Sequence, residues 1–154
     1  MSVEALTETL HARFPDIAAR PGDTAPSVTI DAARLREHML YLRDAARFDL
    51  LVFMTAVDHP AEDRLEVVYR LFSCAAKASL MARVMLPRSG GRVDTVSDIY
   101  RTAEWHEREA AEMFGIEFAH HPDPRRLLLP DDLEGRPLLK DFTHPNLRRL
   151  PETT

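Results

Sequence analysis

The succession of apolar and polar residues along the chain divides it into helical and extended segments. Apolar residues that recur every three or four positions indicate helices, and alternation at every second position indicates strands. The pattern predicts helices near residues 3–14, 32–46, 95–103 and 104–114, and strands at 27–30, 48–57, 64–72 and 79–86. Asp31 and Asp94 are suited to begin the second and third helices, and Gly115 is suited to end the fourth.

Three of the predicted strands follow one another without an intervening helix, which bears on the fold class. Residues 48–57 are apolar on both faces, a pattern typical of a central strand, whereas 64–72 and 79–86 alternate between two faces. Helices come before and after this run of strands. Segregated strands and helices favour an α+β fold over a doubly wound α/β fold. We therefore predict a small mixed sheet of three or four strands with helices packed on one face.

The chain changes character after residue 118, where proline becomes frequent. Six of the eleven prolines lie beyond residue 121, and proline prevents a long helix or a central strand. We therefore predict an α+β domain over residues 1–118 and an extended proline-rich arm over residues 119–154. Residues 120–154 contain six basic and six acidic side chains, a balance that argues against a nucleic-acid-binding tail. Such an arm is suited to lie on a mixed-charge protein surface.

Composition and charge exclude several kinds of site. The net charge of −5 argues against nonspecific binding of nucleic acid. A single cysteine, Cys74, excludes an internal disulfide framework and a self-contained iron–sulfur cluster, which usually needs several cysteine ligands. The glycine-rich motifs that bind phosphate are absent. No window approaches the roughly 18–20 apolar residues of a membrane span, and the first residues do not resemble a secretory signal. We therefore expect a cytoplasmic protein that reaches a membrane through its partners.

The segment around the fourth predicted helix carries the most candidate chemistry. A zinc-protease helix would need a histidine four positions after His106, where Ala110 stands. His106 and Glu109 have the spacing of metal-ligand pairs in helix bundles, and Glu109 and Glu112 share a helix face that would suit general acid–base catalysis. An acidic face paired with arginine is the structural alternative, and we favour it. Bulky apolar residues at the ends of so charged a helix also suit a half-buried position at an interface.

A longer motif runs from this helix into the predicted arm. In chain order it consists of Glu107-Arg108-Glu109, Glu112-Met113-Phe114-Gly115-Ile116, His121-Pro122, Arg125-Arg126-Leu127-Leu128, and Gly135-Arg136-Pro137-Leu138-Leu139-Lys140-Asp141-Phe142. This order and spacing resemble the signature of the 30-kilodalton subunit family of respiratory complex I (NADH:quinone oxidoreductase). The similarity is strong over residues 100–142 and moderate over residues 48–72. Glu112 and Leu139 stand where aspartate and arginine are frequent in the family.

The resemblance implies a subunit without a catalytic centre, cofactor or metal of its own. It implies a place in the peripheral arm of a proton-translocating complex, on the cytoplasmic side of the cell membrane. NAD, FMN, iron–sulfur clusters and quinone would be bound by partner subunits, and the arm of this chain would wrap the neighbour that shapes the quinone site, the quinone-site subunit. The motif residues would then maintain the fold or an interface: Glu107, Arg108, Glu109, Glu112, Gly115, His121, Arg125, Arg126, Gly135, Pro137, Lys140 and Asp141.

Two alternatives to a complex I subunit stay open. The first is the equivalent subunit of a related complex fed by F420H2, by ferredoxin or by a membrane-bound hydrogenase. No residue of this chain distinguishes these electron donors, because the donor site would lie on other subunits. The second alternative belongs to a different class and is a free-standing acid–base or metal enzyme that uses His106 with Glu109 or Glu112.

Overall fold

The structure is a computed structural model that describes residues 3–15, 18–20 and 26–147. Its α-helices are α1 (Val3–Arg13), α2 (Leu35–Asp44) and α3 (Ala103–Phe114). Its strands are β1 (Ala18–Arg20), β2 (Ser27–Ile30), β3 (Leu50–His59), β4 (Arg64–Ser73), β5 (Ala78–Pro87), β6 (Arg92–Asp94) and β7 (Glu117–Ala119). The predicted α+β class is confirmed. Within the described ranges, every helix falls short of the length and hydrophobicity that crossing a membrane requires.

Five strands form one mixed sheet in the order β1-β2-β5-β4-β3. β2 and β5 are parallel, and the other neighbouring pairs are antiparallel. The four predicted strands are all present, which confirms the mixed sheet, and the three-residue strand β1 extends it at one edge. The pattern did not predict β1 because three residues are too few to show a period. β6 and β7 form a separate parallel pair.

β3 lies at an edge of the sheet, with β4 as its one neighbouring strand in the described part of the chain. The prediction that residues 48–57 form a central strand is therefore wrong. Leu51 and Met54 face the core, whereas Leu50 and Val52 are 45% and 46% exposed. The misprediction has a physical cause. A run that is apolar on both faces records the character of its side chains and not the number of strands that flank its backbone.

The core lies between one face of the sheet and the helices. Along β4 and β5 the inward-facing residues Leu65, Val67, Leu80 and Val84 are fully buried. The helices contribute buried residues at helical spacing: Leu10 and Phe14 at the end of α1, Leu35, Met39 and Leu42 from α2, and Ala103, Ala110 and Phe114 from α3. α3 packs chiefly against β3. This contact positions the motif residues of α3 near the edge of the sheet.

Two of the predicted helix ends are present in the structure. The carboxylate of Asp31 accepts the N–H of Ala33 at 2.8 Å, and a single 3-10 turn then leads into α2. Gly115 ends α3 with φ of 80° and donates its N–H to the carbonyl of Ala111. A positive φ suits glycine because it has no Cβ to clash with the backbone.

The helix predicted near residues 95–103 is absent. Residues 95–102 form turns, α3 begins only at Ala103, and Asp94 ends β6 instead of capping a helix. Side-chain acceptors explain the difference, because the carboxylate of Glu107 accepts the N–H of Val96 at 2.8 Å and the hydroxyl of Thr95 accepts the N–H of Ser97 at 3.1 Å. Hydrogen bonds of this kind offer the backbone an alternative to a helix.

Candidate functional site

α3 carries two buried carboxylates that point in different directions. Glu107 is 0% exposed and lies on the side of the helix that carries the buried residues Ala103 and Ala110. Glu112 is 3% exposed and faces the segment that follows the helix. Five positions on a helix correspond to a turn of roughly 140°, so the two carboxylates reach different neighbours. A buried carboxylate is costly unless hydrogen-bond donors surround it.

Glu107 holds the turns that precede α3. Its Oε1 accepts the N–H of Val96 at 2.8 Å, and its Oε2 is hydrogen-bonded to the hydroxyl of Thr95. Burial raises the pKa of Glu107 to about 7, although these two donors act in the opposite direction. The carboxyl group of Glu107 is therefore about half protonated near neutral pH. The sequence showed Glu107 as a motif residue but did not reveal its partners.

His121 attaches the beginning of the predicted arm to α3. Its side chain is 3% exposed, and its Nε2 lies 2.9 Å from the carbonyl oxygen of Glu104 and 3.7 Å from Oε2 of Glu107. Its Nδ1 accepts the N–H of Asp123 at 3.0 Å. These contacts are all satisfied by a neutral imidazole that carries its proton on Nε2. His121 therefore acts here as a structural connector between helix and arm.

Glu112 binds a short stretch of the arm through the backbone. Its carboxylate accepts three consecutive N–H groups, from Leu127 at 3.2 Å, Leu128 at 2.9 Å and Leu129 at 3.0 Å. Burial alone would raise the pKa of Glu112, but these donors and the nearby Arg126 lower it below its usual value. The carboxylate is therefore ionised at neutral pH, and the N–H groups of the arm stabilise its charge.

Arg108 secures the same stretch from the other side by donating to backbone carbonyls. Its Nε donates to the carbonyl of Arg125 at 2.9 Å, and a terminal nitrogen donates to the carbonyl of Arg126 at 2.9 Å. The guanidinium also lies 3.4 Å from the carboxylate of Asp123 and 5.5 Å from the centre of the Trp105 ring. Arg108 and Glu112 together give the arm both a donor and an acceptor on α3.

The glycines of the motif stand where other atoms come close. A Cβ on Gly115 would lie 3.0 Å from Nε of Arg136, whose terminal nitrogen donates to the carbonyl of Glu112 at 3.2 Å. Gly135 has φ of 91°, and a Cβ there would lie 2.8 Å from the Phe142 ring. Both glycines therefore permit the arm to fold closely onto α3 and onto itself.

The far end of the arm is attached to the sheet by an ion network. Oδ1 of Asp58 lies 2.7 Å from Nε of Arg88, and Arg88 also pairs with Asp141 at 2.6 Å. Asp58 further accepts the N–H of Lys140 at 2.8 Å. The hydrogen bond from Arg88, with smaller contributions from Lys140, lowers the pKa of Asp58 to about 2. The sequence analysis missed Arg88, because one charged residue just after a strand is too common a pattern to indicate an ion pair.

The side chains of Glu109, Pro137, Arg125 and His106 are not among the contacts described above that attach the arm to the domain. Glu109 is exposed on α3, and Pro137 is half-buried in the arm. The Arg125 side chain is 81% exposed and pairs with Asp123 at 2.7 Å. Nδ1 of His106 lies 3.0 Å from the carbonyl of Thr102. The carboxylate of Glu112, which was considered for acid–base chemistry, is occupied by the backbone N–H groups of the arm. The described residues hold no group of three metal-ligating side chains.

A cavity of about 380 Å3 remains between α3 and the arm. Its walls include Glu107, Arg108, Glu112, His121 and Arg136.

The arm is attached to the domain along its length as far as Asp141. Its backbone and side chains contact α3, β3 and the residue that follows β5. The division into residues 1–118 and 119–154 stays a prediction, and residues 148–154 lie outside the described ranges.

The motif and the fold agree with comparisons of the whole sequence. The family model for "Respiratory-chain NADH dehydrogenase, 30 Kd subunit" matches residues 28–149. The chain belongs to this family, which confirms the resemblance seen in the motif. Members of the family are subunits of membrane-associated respiratory complexes, so the chain is a complex I-type subunit.

Several relatives and solved structures are similar to this chain over most of its length. The matching subunit of the NADH-quinone oxidoreductase of Moorella thermoacetica is 38% identical over 129 residues, which cover 84% of this chain and 87% of the relative. The matching subunit of the F(420)H(2) dehydrogenase of Methanosarcina mazei is 35% identical over 146 residues, or 92% of each chain. A chain of an archaeal membrane-bound sulfane sulfur reductase superposes with a TM-score of 0.81 at 27% identity and covers 91% of this chain and 85% of its own length. A trypsin-resistant fragment of Nqo5 gives 0.69 at 28% identity, with coverage of 80% and 99%.

Proposed function

We propose that this chain is a noncatalytic subunit of the peripheral arm of a proton-translocating NADH:quinone oxidoreductase. In this role it holds the quinone-site subunit on the cytoplasmic side of the cell membrane. NAD, FMN, iron–sulfur clusters and quinone are bound by partner subunits, and the chain supplies a rigid surface. The electrons do not pass through residues of this chain.

The proposal rests on the observation that charged side chains of the motif and of β3 bind groups of this same chain. Glu112 and Arg108 are occupied by the backbone of residues 125–129, and Asp58 is occupied by Arg88 and by the N–H of Lys140. These charged side chains therefore hold the backbone of the arm in place. A stiff segment loses little conformational freedom when it binds, which favours use as an interface.

The stiffened arm presents large apolar side chains to its surroundings. Leu128 is 60% exposed, Leu138 is 51% exposed and Leu147 is 59% exposed. Exposed apolar side chains on an ordered segment are typical anchors for a partner protein. We propose that these leucines contact the quinone-site subunit.

Replacement of the anchors tests the scaffold role. The double variant Leu128→Ser/Leu138→Ser should fold normally and should lose most of the quinone-site subunit in affinity purification of the complex. Leu40→Ser is the matched control, because Leu40 is an exposed leucine of α2 that lies outside the arm. Equal recovery of that subunit with both variants would refute the proposed contact.

A related complex with another electron donor is the second candidate, favoured by the 35% identity with a subunit of an F(420)H(2) dehydrogenase over 92% of both chains. The purified complex can be supplied in turn with NADH, F420H2 and reduced ferredoxin while quinone reduction is followed. NADH oxidation would support the first candidate. Oxidation of one of the other donors without NADH oxidation would replace it with the second.

A further inference from the structure

The face of the main sheet that points away from the core carries an arginine among apolar residues. Arg70, on β4, is paired with Phe53 of β3 on one side and with Met81 of β5 on the other. Its neighbours on the same face of β4 are Val68 and Phe72, because side chains of a strand alternate between the two faces. Arg70 therefore has an apolar neighbour on each of its four sides.

Arg70 has no counter-charge within the described residues. Its side chain is exposed and makes no hydrogen bond or ion pair with any of them. Glu66 is the one acidic residue on this face of strands β2 to β5, and it is already bound by Arg83 at 3.0 Å and by His59 at 2.9 Å. The face therefore presents a guanidinium group whose charge the described chain does not compensate.

The apolar surface continues beyond the neighbours of Arg70. Leu50 is paired with Phe72 and Val57 with Glu66, and these two residues of β3 are 45% and 37% exposed. Contiguous exposed apolar residues mark sites where another molecule binds. A molecule that covered this surface would also remove Arg70 from water, and an unpaired charge is costly to bury. The covering molecule must therefore bring an acidic group to Arg70.

We propose that this surface, the Arg70 face, binds another subunit through an aspartate or glutamate that is flanked by apolar side chains. The carboxylate would accept two parallel hydrogen bonds from the guanidinium group, a geometry for which arginine is suited. The charge of the whole chain is −5, so an acidic surface is repelled by most of the molecule and attracted to this face. The inference rests on the scaffold role proposed above and adds a second contact surface to the leucines of the arm.

Two other occupants fit the Arg70 face less well. If two copies of this chain met symmetrically through this face, each would bring the same residues to the contact, and neither would bring an unengaged acid to Arg70. Anionic lipid surfaces attract clusters of several basic residues. The other arginines of this face, Arg64 and Arg83, are already paired with Glu62 and Glu66.

Charge reversal tests the contact. Arg70→Glu should leave the circular dichroism of the free chain unchanged and should lower incorporation into the purified complex at least about tenfold. Arg101→Glu is the matched control, because it reverses the charge of an exposed arginine in the turns before α3 and should be incorporated normally. Absence of the natural chain from the complex would contradict the scaffold role. Normal incorporation of Arg70→Glu would overturn only the contact at Arg70.

Crosslinking and charge exchange identify the partner. A photo-crosslinker at Thr55, an exposed residue of the same face, should capture a segment of another subunit that contains an aspartate or glutamate. Replacement of that acid by arginine should restore the incorporation of Arg70→Glu, because the ion pair re-forms with its charges exchanged. Failure of this exchange would overturn the proposal. Capture of a second copy of this chain, or flotation of the free chain with phosphatidylglycerol vesicles that Arg70→Glu abolishes, would also overturn it.

Discussion

The carboxylate of Glu112 accepts the backbone N–H of Leu128 across 2.9 Å, between residues 16 positions apart in the chain. The N–H groups of Leu127 and Leu129 complete the contact. A side chain of α3 thus fixes three consecutive backbone groups of the arm at its most apolar stretch. Because the contact goes to the backbone, it sets the conformation of this stretch irrespective of its side chains.

Removal of this carboxylate should release the arm. Glu112→Ala leaves three partly buried N–H groups without their acceptor, and we expect it to lower the free energy of unfolding by about 2–4 kcal/mol. Urea denaturation measures this change, and hydrogen exchange of Leu127–Leu129 locates it. Glu109→Ala, on an exposed position of the same helix, should change the stability by less than about 0.5 kcal/mol. Similar losses in the two variants would contradict the role of Glu112.

Stability should depend on pH through Glu107. Its pKa is about 7 in the folded protein and about 4.5 in the unfolded chain, so the folded state holds the proton more tightly. The stabilisation from protonation is complete below about pH 4.5 and is lost as the pH rises to about 7, with a total near 3 kcal/mol. Glu107→Gln should remove this dependence and be more stable than the natural protein at pH 8.

The glutamine amide imitates the protonated acid, since its carbonyl can accept from Val96 and its NH2 group can donate to Thr95. Urea unfolding of both proteins from pH 5 to pH 8 supplies the measurement. Glu107→Ala serves as the comparison, because it leaves the N–H of Val96 buried without an acceptor and should be destabilised throughout this range. A parallel pH dependence in the natural protein and in Glu107→Gln would show that another group titrates.

The network around Asp58 should act in the opposite pH range. Its pKa of about 2 lies below the ordinary value of 3.8, so the carboxylate stabilises the fold above about pH 3.8. This contribution, about 2 kcal/mol, is lost as the pH falls from about 3.8 to about 2. Asp58→Asn should therefore be less stable at pH 7 by a similar amount and should lose less stability in acid. Thermal unfolding at pH 7 and pH 3 can measure both changes.

Arg125 should matter for assembly and not for folding. Its guanidinium is 81% exposed and pairs with Asp123 in the arm, and exposed ion pairs contribute little to stability. Arg125→Ala should leave the isolated chain folded while less assembled complex is recovered. Circular dichroism and co-purification with the quinone-site subunit distinguish the two effects. Arg92→Ala, at an exposed ion pair with Glu117, is the control, and normal co-purification of Arg125→Ala would contradict the prediction.

Features that depend on contacts between residues close in the chain could be predicted from the sequence, and features that depend on contacts between separate elements could not. Asp31 and Gly115 act on backbone groups within four residues, so their roles at helix ends could be predicted from the sequence. The turns at residues 95–102 could not, because the acceptor that stabilises them is Glu107, on the following helix. Asp94 is of a residue type that often caps helices, but in the structure it ends β6 and pairs with β7.

The candidate site shows the same division. The motif from Glu107 to Asp141 was visible as a pattern of residue types, and it identified the family. Its partners were not visible, since Asp58 meets the N–H of Lys140 from 82 positions away and Arg88 joins Asp58 to Asp141. Contacts at this distance depend on how strands are ordered and on where the arm turns.

The sequence by itself determined the α+β class, the four main strands, the family and the residues that carry its motif. These properties follow from local periodicity, from helix-end chemistry and from spacing within one stretch of chain. The tertiary structure decided that β3 lies at an edge, that Glu107 is buried against Thr95 and Val96, and that the arm is attached to α3 and to Asp58. Strand order and burial depend on the free energy of contacts between segments that lie far apart in the chain. A local sequence pattern does not contain this information.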